Sequence, residues 1–329
     1  MKNTRYMYID LLKVIAMVLV VVIHLCTPGW KAGGDAFGWQ VLNAYDALAH
    51  VAVPLFLMTS GAMLLSPDRA LPPKTAFTKY IGRIALAFIV WSAVYAAVGY
   101  LSGDLTLTGA VKQLVTGEYH MWFMFIIAML YAVTPFLQKI TGDRRLLGYF
   151  LALSLVFTVL LPTVGRYVGA VDTLAGYFYM QLPVGYVFYF CAGYYLHAYG
   201  LPRPARIVLY VLGAVGAVGT VACAAVTRDA WWFDAFAPGI CAATLAAFAA
   251  AQQLCRERVS GAVLSALGSA TLGVYLVHEL ALKALTAVGL MPDAADAVWS
   301  VPLWAAAVSA VCFALSVVAR RVPVLRRFF

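Results

Sequence analysis

Charged side chains are scarce in this sequence. They make up 11% of its 329 residues, whereas soluble domains carry about a quarter. Hydrophobic residues reach 64%, and the mean hydropathy is +0.88. The apolar runs have the length of a membrane-spanning helix, about 20 residues, and not of a barrel strand. The sequence therefore predicts an all-α polytopic membrane protein and excludes a soluble globular domain.

Several motifs are also missing. No P-loop or glycine-rich dinucleotide turn occurs, which argues against chemistry driven by a nucleoside triphosphate. The six cysteines lie in or beside apolar segments without metal-ligand spacing, so we expect small hydrophobes and no metal. The first apolar stretch is too long and too charged for a cleavable signal peptide. The net charge of +9 is scattered through short loops, so the expected surroundings are a lipid bilayer and not a nucleic acid.

About ten membrane spans can be placed, and no loop between them is long enough to fold separately. We therefore predict a single domain over residues 1–329. The expected limits are 7–26, 44–65, 79–101, 119–138, 146–162, 177–199, 205–226, 235–254, 267–288 and 299–319.

The loops predict the orientation. Of the 23 Lys and Arg residues, 17 fall on the side of the two termini and only four on the opposite side. Because cytoplasmic loops carry the excess of Lys and Arg, both termini are expected in the cytoplasm.

The first span contains three polar residues: Asp10, Lys13 and His24. On an α-helix they share one face, with Lys13 and His24 about 16 Å apart along the axis. Such residues usually face a protein interior or a wet cavity. In the simpler alternative, Asp10 pairs with Lys13, or Lys13 reaches the interface, and His24 is an interfacial histidine.

Four of the five histidines belong to the outer half of the membrane in this topology. They are His24, His50, His120 and His278. Two carboxylates accompany them: Glu279 follows His278, and Asp46 lies four residues before His50, where it can orient the imidazole. The topology gives depth and not lateral position, so histidines in an aromatic belt remain the alternative.

The inner half gathers cations, namely Arg5, Lys13, Lys79 and Arg83. A cationic funnel open to the cytoplasm would suit an anionic ligand with several phosphates. For Lys79, a simple positive-inside anchor is the plainer interpretation.

Two further stretches have structural and functional interpretations. Ser60-Gly61 favours close helix packing more than a nucleophile, because no G-x-S-x-G elbow is present. Trp122, with Tyr131 and Pro135, fits an aromatic belt and a helix kink as well as a substrate site.

These residues together resemble a known family. The stretches that carry the resemblance are Tyr8-Ile-Asp-Leu-Leu-Lys13 with His24, Pro54-Leu-Phe-Leu-Met-Thr-Ser60-Gly61, Tyr119-His-Met-Trp122 with Tyr131 and Pro135, and 267–278 ending in Tyr275-Leu-Val-His278. The chain resembles the acyltransferase 3 membrane proteins, bacterial inner-membrane enzymes that O-acylate cell-surface glycans. It is similar to their stand-alone type that acetylates enterobacterial common antigen.

The resemblance implies a cytoplasmic acyl-CoA donor, with acetyl as the default group, and a glycan or glycolipid hydroxyl as acceptor. The essential histidine of the family corresponds to His24. Its basic partner, usually arginine, corresponds to Lys13, which lacks the bidentate fork. Paired arginines at the start of the third span appear here as Gly82-Arg83, and the proline expected later in that helix is absent.

The mechanism that we predict combines both lines of argument. His24 acts as general base on the acceptor hydroxyl, since an imidazole has a pKa near neutrality, or it carries the acyl group covalently. The other expected roles are orientation or charge stabilisation by Asp10, Asp46 and Glu279, donor binding by Lys13, Arg83, Lys79 and Arg5, and substrate binding by His50, His120, Trp122, Tyr275, His278 and Ser60. The rival hypothesis is a transporter of a small solute, to which the polar stripe would also be suited.

Overall fold

The computed structural model describes residues 5–34, 37–177, 185–255, 258–292 and 296–328. These residues are predominantly helical, as the composition predicted. The helices are α1 (Met7–Ala32), α2 (Phe37–Ala49), α3 (Ala52–Leu64), α4 (Pro73–Leu101), α5 (Leu107–Thr116), α6 (Trp122–Thr141), α7 (Arg144–Tyr167), α8 (Gly169–Tyr177), α9 (Gly185–Ala198), α10 (Arg203–Thr227), α11 (Pro238–Leu254), α12 (Ala262–Ala287) and α13 (Ala297–Ala319).

Nine of the ten expected spans correspond to helical segments of the described residues that are long and apolar enough to cross a membrane. The remaining span, 177–199, lies partly outside the described residues, and α9 is its described part. The all-α polytopic fold is thereby confirmed. Each end of these segments falls within a few residues of the expected limit, except where a helix continues into a loop, as α1 does to Ala32.

Two expected spans are interrupted. The second consists of α2 and α3, which are separated at His50 and Val51. The fourth begins earlier than expected, with α5, and then passes through a 3₁₀ turn, Tyr119–Met121, into α6. Both interruptions occur beside polar side chains that hydropathy alone does not distinguish from the rest of the span.

The first helix is central to the packing. It contacts α2, α3, α11, α12 and α13, and its buried side chains Ile9, Leu12, Met17 and Val21 belong to the main hydrophobic core. Because α1 is surrounded on several sides, its polar residues face protein, as the cost of charges in lipid requires.

Small residues bring α3 and α9 into close contact. A Cβ added at Gly61 would overlap with the carbonyl oxygen of Phe190, and one added at Gly193 would overlap with that of Met58. The packing interpretation of Ser60-Gly61 therefore holds for Gly61, since only glycine permits this backbone approach.

Candidate active site

Three histidines from three separate parts of the chain converge beside α1. The ring centroids of His24 and His278 are 5.2 Å apart, and those of His278 and His120 are 5.1 Å apart. His24 comes from α1, His278 from α12 and His120 from the turn before α6. We call these three residues the histidine layer. The sequence predicted their shared depth, and the structure adds their lateral convergence.

The turn that carries His120 depends on a glycine. Gly117 ends α5 with φ 73° and ψ 179°, a region that is essentially restricted to glycine. A Cβ at this position would also lie 2.7 Å from the ring of Phe88. The turn at Gly117 allows the 3₁₀ turn to place His120 in the histidine layer and Tyr119 beside His24.

A hydrogen-bond chain ends on His24. The hydroxyl of Tyr119 donates to Oε2 of Glu279 at 2.9 Å and lies 3.0 Å from Nδ1 of His24. With Glu279 ionised, the single hydroxyl proton is used toward its carboxylate, so Nδ1 of His24 donates to the Tyr119 oxygen. This arrangement places the imidazole proton on Nδ1 and leaves the lone pair on Nε2, as a general base requires.

The other two histidines have ring nitrogens without partners among the described residues. Nδ1 of His278 lies 2.7 Å from the carbonyl oxygen of Tyr275, whereas its Nε2 is buried and unpartnered. Both ring nitrogens of His120 are likewise buried without a partner. Unsatisfied buried polar groups are costly and concentrate at functional sites. Among the described residues, the histidine layer therefore presents buried ring nitrogens that suit it to hold a reacting group.

A metal ion is a geometric alternative for part of this site. Ligand atoms of His24, His278 and Glu279 all lie within 4.8 Å of one another. However, Nδ1 of His24 and Oε2 of Glu279 are both engaged by Tyr119. These contacts leave Nε2 of both histidines for a ligand, and a ligating histidine commonly donates its other ring N–H to a neighbour, so the expectation of a metal-free reaction stays a prediction.

Further contacts hold the histidine layer in place. The hydroxyl of Tyr275 donates to the carbonyl oxygen of His120, and the two rings are 5.3 Å apart. Nζ of Lys283 lies 3.1 Å from Oε2 of Glu118, the residue just before Tyr119.

Tyr119, Glu118 and Lys283 were not among the expected site residues. A signal was present, because Lys283 lies four residues after Glu279 on one helical face.

The second predicted pair, Asp46 and His50, lies close enough to the histidine layer for the charges of His50 and His24 to interact, but both residues make their hydrogen bonds elsewhere. Asp46 is buried and accepts a 3.3 Å hydrogen bond from Thr27. Nδ1 of His50 lies 2.7 Å from the carbonyl oxygen of Asp46 and 3.4 Å from its carboxylate, and the His50 ring stacks on Phe233. Asp46 therefore contacts His50 as expected, but its contacts do not include His24.

Asp10 and Arg5 lie at the N-terminal end of α1, which is the end predicted to face the cytoplasm and is called the inner end below. Arg5 donates to Asp10 through Nε at 2.8 Å and Nη2 at 3.2 Å, and Ser260 donates to the same carboxylate at 2.5 Å. Fourteen residues of helix, about 21 Å, separate Asp10 from His24. Asp10 therefore links α1 to the start of α12, where Gly268 leaves room for its carboxylate.

An apolar cavity of about 180 Å³ lies between the inner end and the histidine layer. Its lining includes Lys13 and Ser60, together with Tyr275, which is hydrogen-bonded to His120. Lys13 and Ser60 thus share a cavity whose far wall supports the histidine layer. Trp122 is 44% exposed and packs against Tyr186 and against Phe123, which lines this cavity.

A larger cavity, of about 690 Å³, opens at the inner end. Both Lys79 and Arg83 line it, as expected of a cationic funnel. The two cavities approach each other at α4, because Arg83 lines the larger one and the next residue, Ile84, lines the apolar one.

Comparison with known proteins shows the family of the chain. A family model described as an acyltransferase domain, acyltransferase 3, matches residues 6–321. The chain belongs to the acyltransferase 3 family. That membership makes it a membrane acyltransferase and agrees with the nine apolar helical segments found among the described residues.

A curated relative is an amino-acid racemase from Enterococcus faecalis. The two are 28% identical over 163 residues, which cover 48% of this chain. The chain spans only 22% of the length of that racemase. No solved structure matches the chain.

Proposed function

We propose that this acyltransferase moves an acyl group, acetyl by default, from acyl-CoA at the cytoplasmic face to a hydroxyl of a glycan or glycolipid. The proposed location is the inner membrane of a bacterium, with both termini in the cytoplasm. The observation that carries the proposal is the chain from Glu279 through Tyr119 to His24, which leaves Nε2 of His24 as a base.

In the proposed reaction, Nε2 of His24 takes the proton of the acceptor hydroxyl. The oxygen then attacks the thioester carbonyl carbon, and the carbon–sulfur bond breaks. The imidazolium returns its proton to the departing thiolate, so the products are an ester and free CoA. Glu279, through Tyr119, stabilises the transient positive charge on His24.

The two cavities support a donor that enters from the inner end. The larger cavity carries cations suited to phosphates, whereas the apolar cavity suits an uncharged chain that leads toward the histidine layer. Lys13 lines the apolar cavity, about 16 Å along α1 from His24. A covalent acyl-His24 intermediate would use the same geometry.

A transporter remains the second candidate. It is favoured by the polar residues along α1 and by the match to part of an amino-acid racemase, which suggests an amino acid as the solute. The candidate does not account for the orientation of the His24 ring by Tyr119 and Glu279.

The test uses the purified full chain in lipid vesicles with radiolabelled acetyl-CoA outside and glycolipid extract in the membrane. We expect label to pass to the glycolipid with release of CoA. Uptake of labelled amino acids by the same vesicles, without any transfer of acetyl label, would replace the proposal by transport.

A further inference from the structure

The C-terminal segment closes one side of the large inner cavity. After α13 the chain continues through Pro323 into a 3₁₀ turn, Leu325–Arg327. The indole of Trp91 on α4 donates to the carbonyl oxygen of Phe328 at 3.1 Å. This contact fastens the segment to α4 and places its arginines opposite Lys79 and Arg83.

Six cations line this cavity, and we call it the cationic cavity. They are Lys79, Arg83, Arg320, Arg321, Arg326 and Arg327. Its described lining contains no Asp or Glu. Four of the six come from the C-terminal segment, where the sequence indicated only positive-inside anchoring.

Anchoring alone does not require the cations to share one cavity. Burial, and then the charges of Arg83, Arg326 and Arg5, lower the pKa of Arg320. This mutual repulsion means that a bound polyanion would stabilise the arrangement. Arginine also binds phosphate oxygens in a bidentate geometry, which a lysine anchor cannot do.

We propose that Arg326 and Arg327, with Arg320 and Arg321, form a phosphate-binding clamp for the nucleotide end of the acyl-CoA donor. The inference rests on the proposed function, because it names where the donor of that reaction binds. The shared chemistry is that of a ligand with several phosphate charges, and the headgroup of an anionic lipid is its other source.

The test measures binding of radiolabelled acetyl-CoA to the full chain in phosphatidylcholine nanodiscs. The variants are the double substitution Arg326→Gln/Arg327→Gln and a control, Arg145→Gln/Arg203→Gln. The control pair is exposed, lies on the same predicted side and does not line the cationic cavity. Adenosine 3′,5′-bisphosphate serves as competitor, and size-exclusion profiles verify that each variant is folded.

We expect the clamp variant to bind acetyl-CoA more weakly by on the order of tenfold for each arginine removed, and the control to bind as the wild type does. The bisphosphate should compete in the wild type and the control but much less in the clamp variant. Arg326→Lys/Arg327→Lys, which keeps the charge, should recover part of the affinity. Equal affinity in the clamp variant and the control would overturn the proposal.

A second arm separates the lipid from the nucleotide. If the clamp variant loses binding to phosphatidylglycerol vesicles while its affinity for acetyl-CoA is unchanged, the cavity is a lipid site and the proposal is wrong. If the wild type binds the bisphosphate through the clamp yet transfers no acetyl group, the clamp stands and the proposed function fails.

Discussion

The histidine layer and the cationic cavity differ in how their polar groups are satisfied. At the histidine layer, the buried carboxylate of Glu279, the phenol of Tyr119 and the imidazole of His24 are joined by hydrogen bonds of 2.9 and 3.0 Å. In the cavity, six cations share a described lining without an acidic residue. The first arrangement fixes a proton at one atom, whereas the second favours a ligand that brings negative charge. Substitutions in the layer should therefore change the rate of transfer, and those at the inner end should change donor affinity.

Tyr119→Phe gives a large expected effect on the rate. Without the hydroxyl, Glu279 no longer reaches His24, and the charged form of the imidazole loses a hydrogen bond worth about 1.5–3 kcal/mol. We expect kcat to fall about 10- to 100-fold with little change in KM for the donor. Steady-state acetyl transfer measures both constants.

The matched control for this change is Tyr149→Phe, which removes an exposed hydroxyl from α7. An equal loss of kcat in both variants would show that the effect does not come from the relay.

Lys13→Ala tests the expectation that residues toward the inner end determine donor affinity. Lys13 lines the apolar cavity at the approach from the inner end, so its loss should raise KM for acetyl-CoA about tenfold, as expected for a charge-assisted contact. Lys13→Arg keeps the charge and should retain most of the affinity. A fall in kcat without a change in KM would assign Lys13 to the transfer step and not to donor binding.

Gly117→Ala tests how the chain positions Tyr119 and His120. The new Cβ would meet Phe88 and force a residue with a side chain into a positive φ, which costs about 1–3 kcal/mol. We expect a lower midpoint of thermal unfolding together with reduced transfer. Gly103→Ala is the control, because Gly103 also has positive φ but has no neighbour within 4 Å of the added Cβ. An unfolding midpoint no lower than that of the control would mean that the contact with Phe88 is unimportant.

Asp10→Asn gives the smallest expected effect. The carboxylate holds Arg5 and Ser260, so its neutralisation should lower stability by on the order of 1 kcal/mol. The histidine layer should be unaffected, and kcat should remain close to that of the wild type. Loss of kcat in a protein with unchanged thermal stability would restore the catalytic role that the sequence suggested for Asp10.

The sequence predicted the depth of the polar residues in the membrane better than it predicted their lateral contacts. Hydropathy located the spans, and the Lys and Arg pattern ordered the polar residues along the membrane normal, so that His24, His120 and His278 were expected in the outer half of the membrane. Their lateral approach depends on how α1, α12 and the turn after Gly117 pack, which no single segment encodes. For the same reason Asp46, at a similar expected depth, contacts His50 and not His24.

Two features escaped the sequence for different physical reasons. In the sequence, Tyr119 looks like any tyrosine of an aromatic belt. Only the folded 3₁₀ turn places its hydroxyl between Glu279 and His24. The arginines after α13 have the signature of positive-inside anchors. Their role depends on the segment folding back onto α4, where Trp91 meets Phe328.

The central claim is that His24 receives the proton of the acceptor hydroxyl. Its most direct test is single-turnover transfer of radiolabelled acetyl from acetyl-CoA to glycolipid, with wild type, His24→Ala and His197→Gln in the same nanodiscs. His197 lies at the inner end, hydrogen-bonded to Tyr8, and controls for loss of any histidine. The account predicts that His24→Ala binds the donor normally but transfers about 10²- to 10⁴-fold more slowly, whereas His197→Gln transfers as the wild type does. Transfer at the wild-type rate by His24→Ala would contradict it.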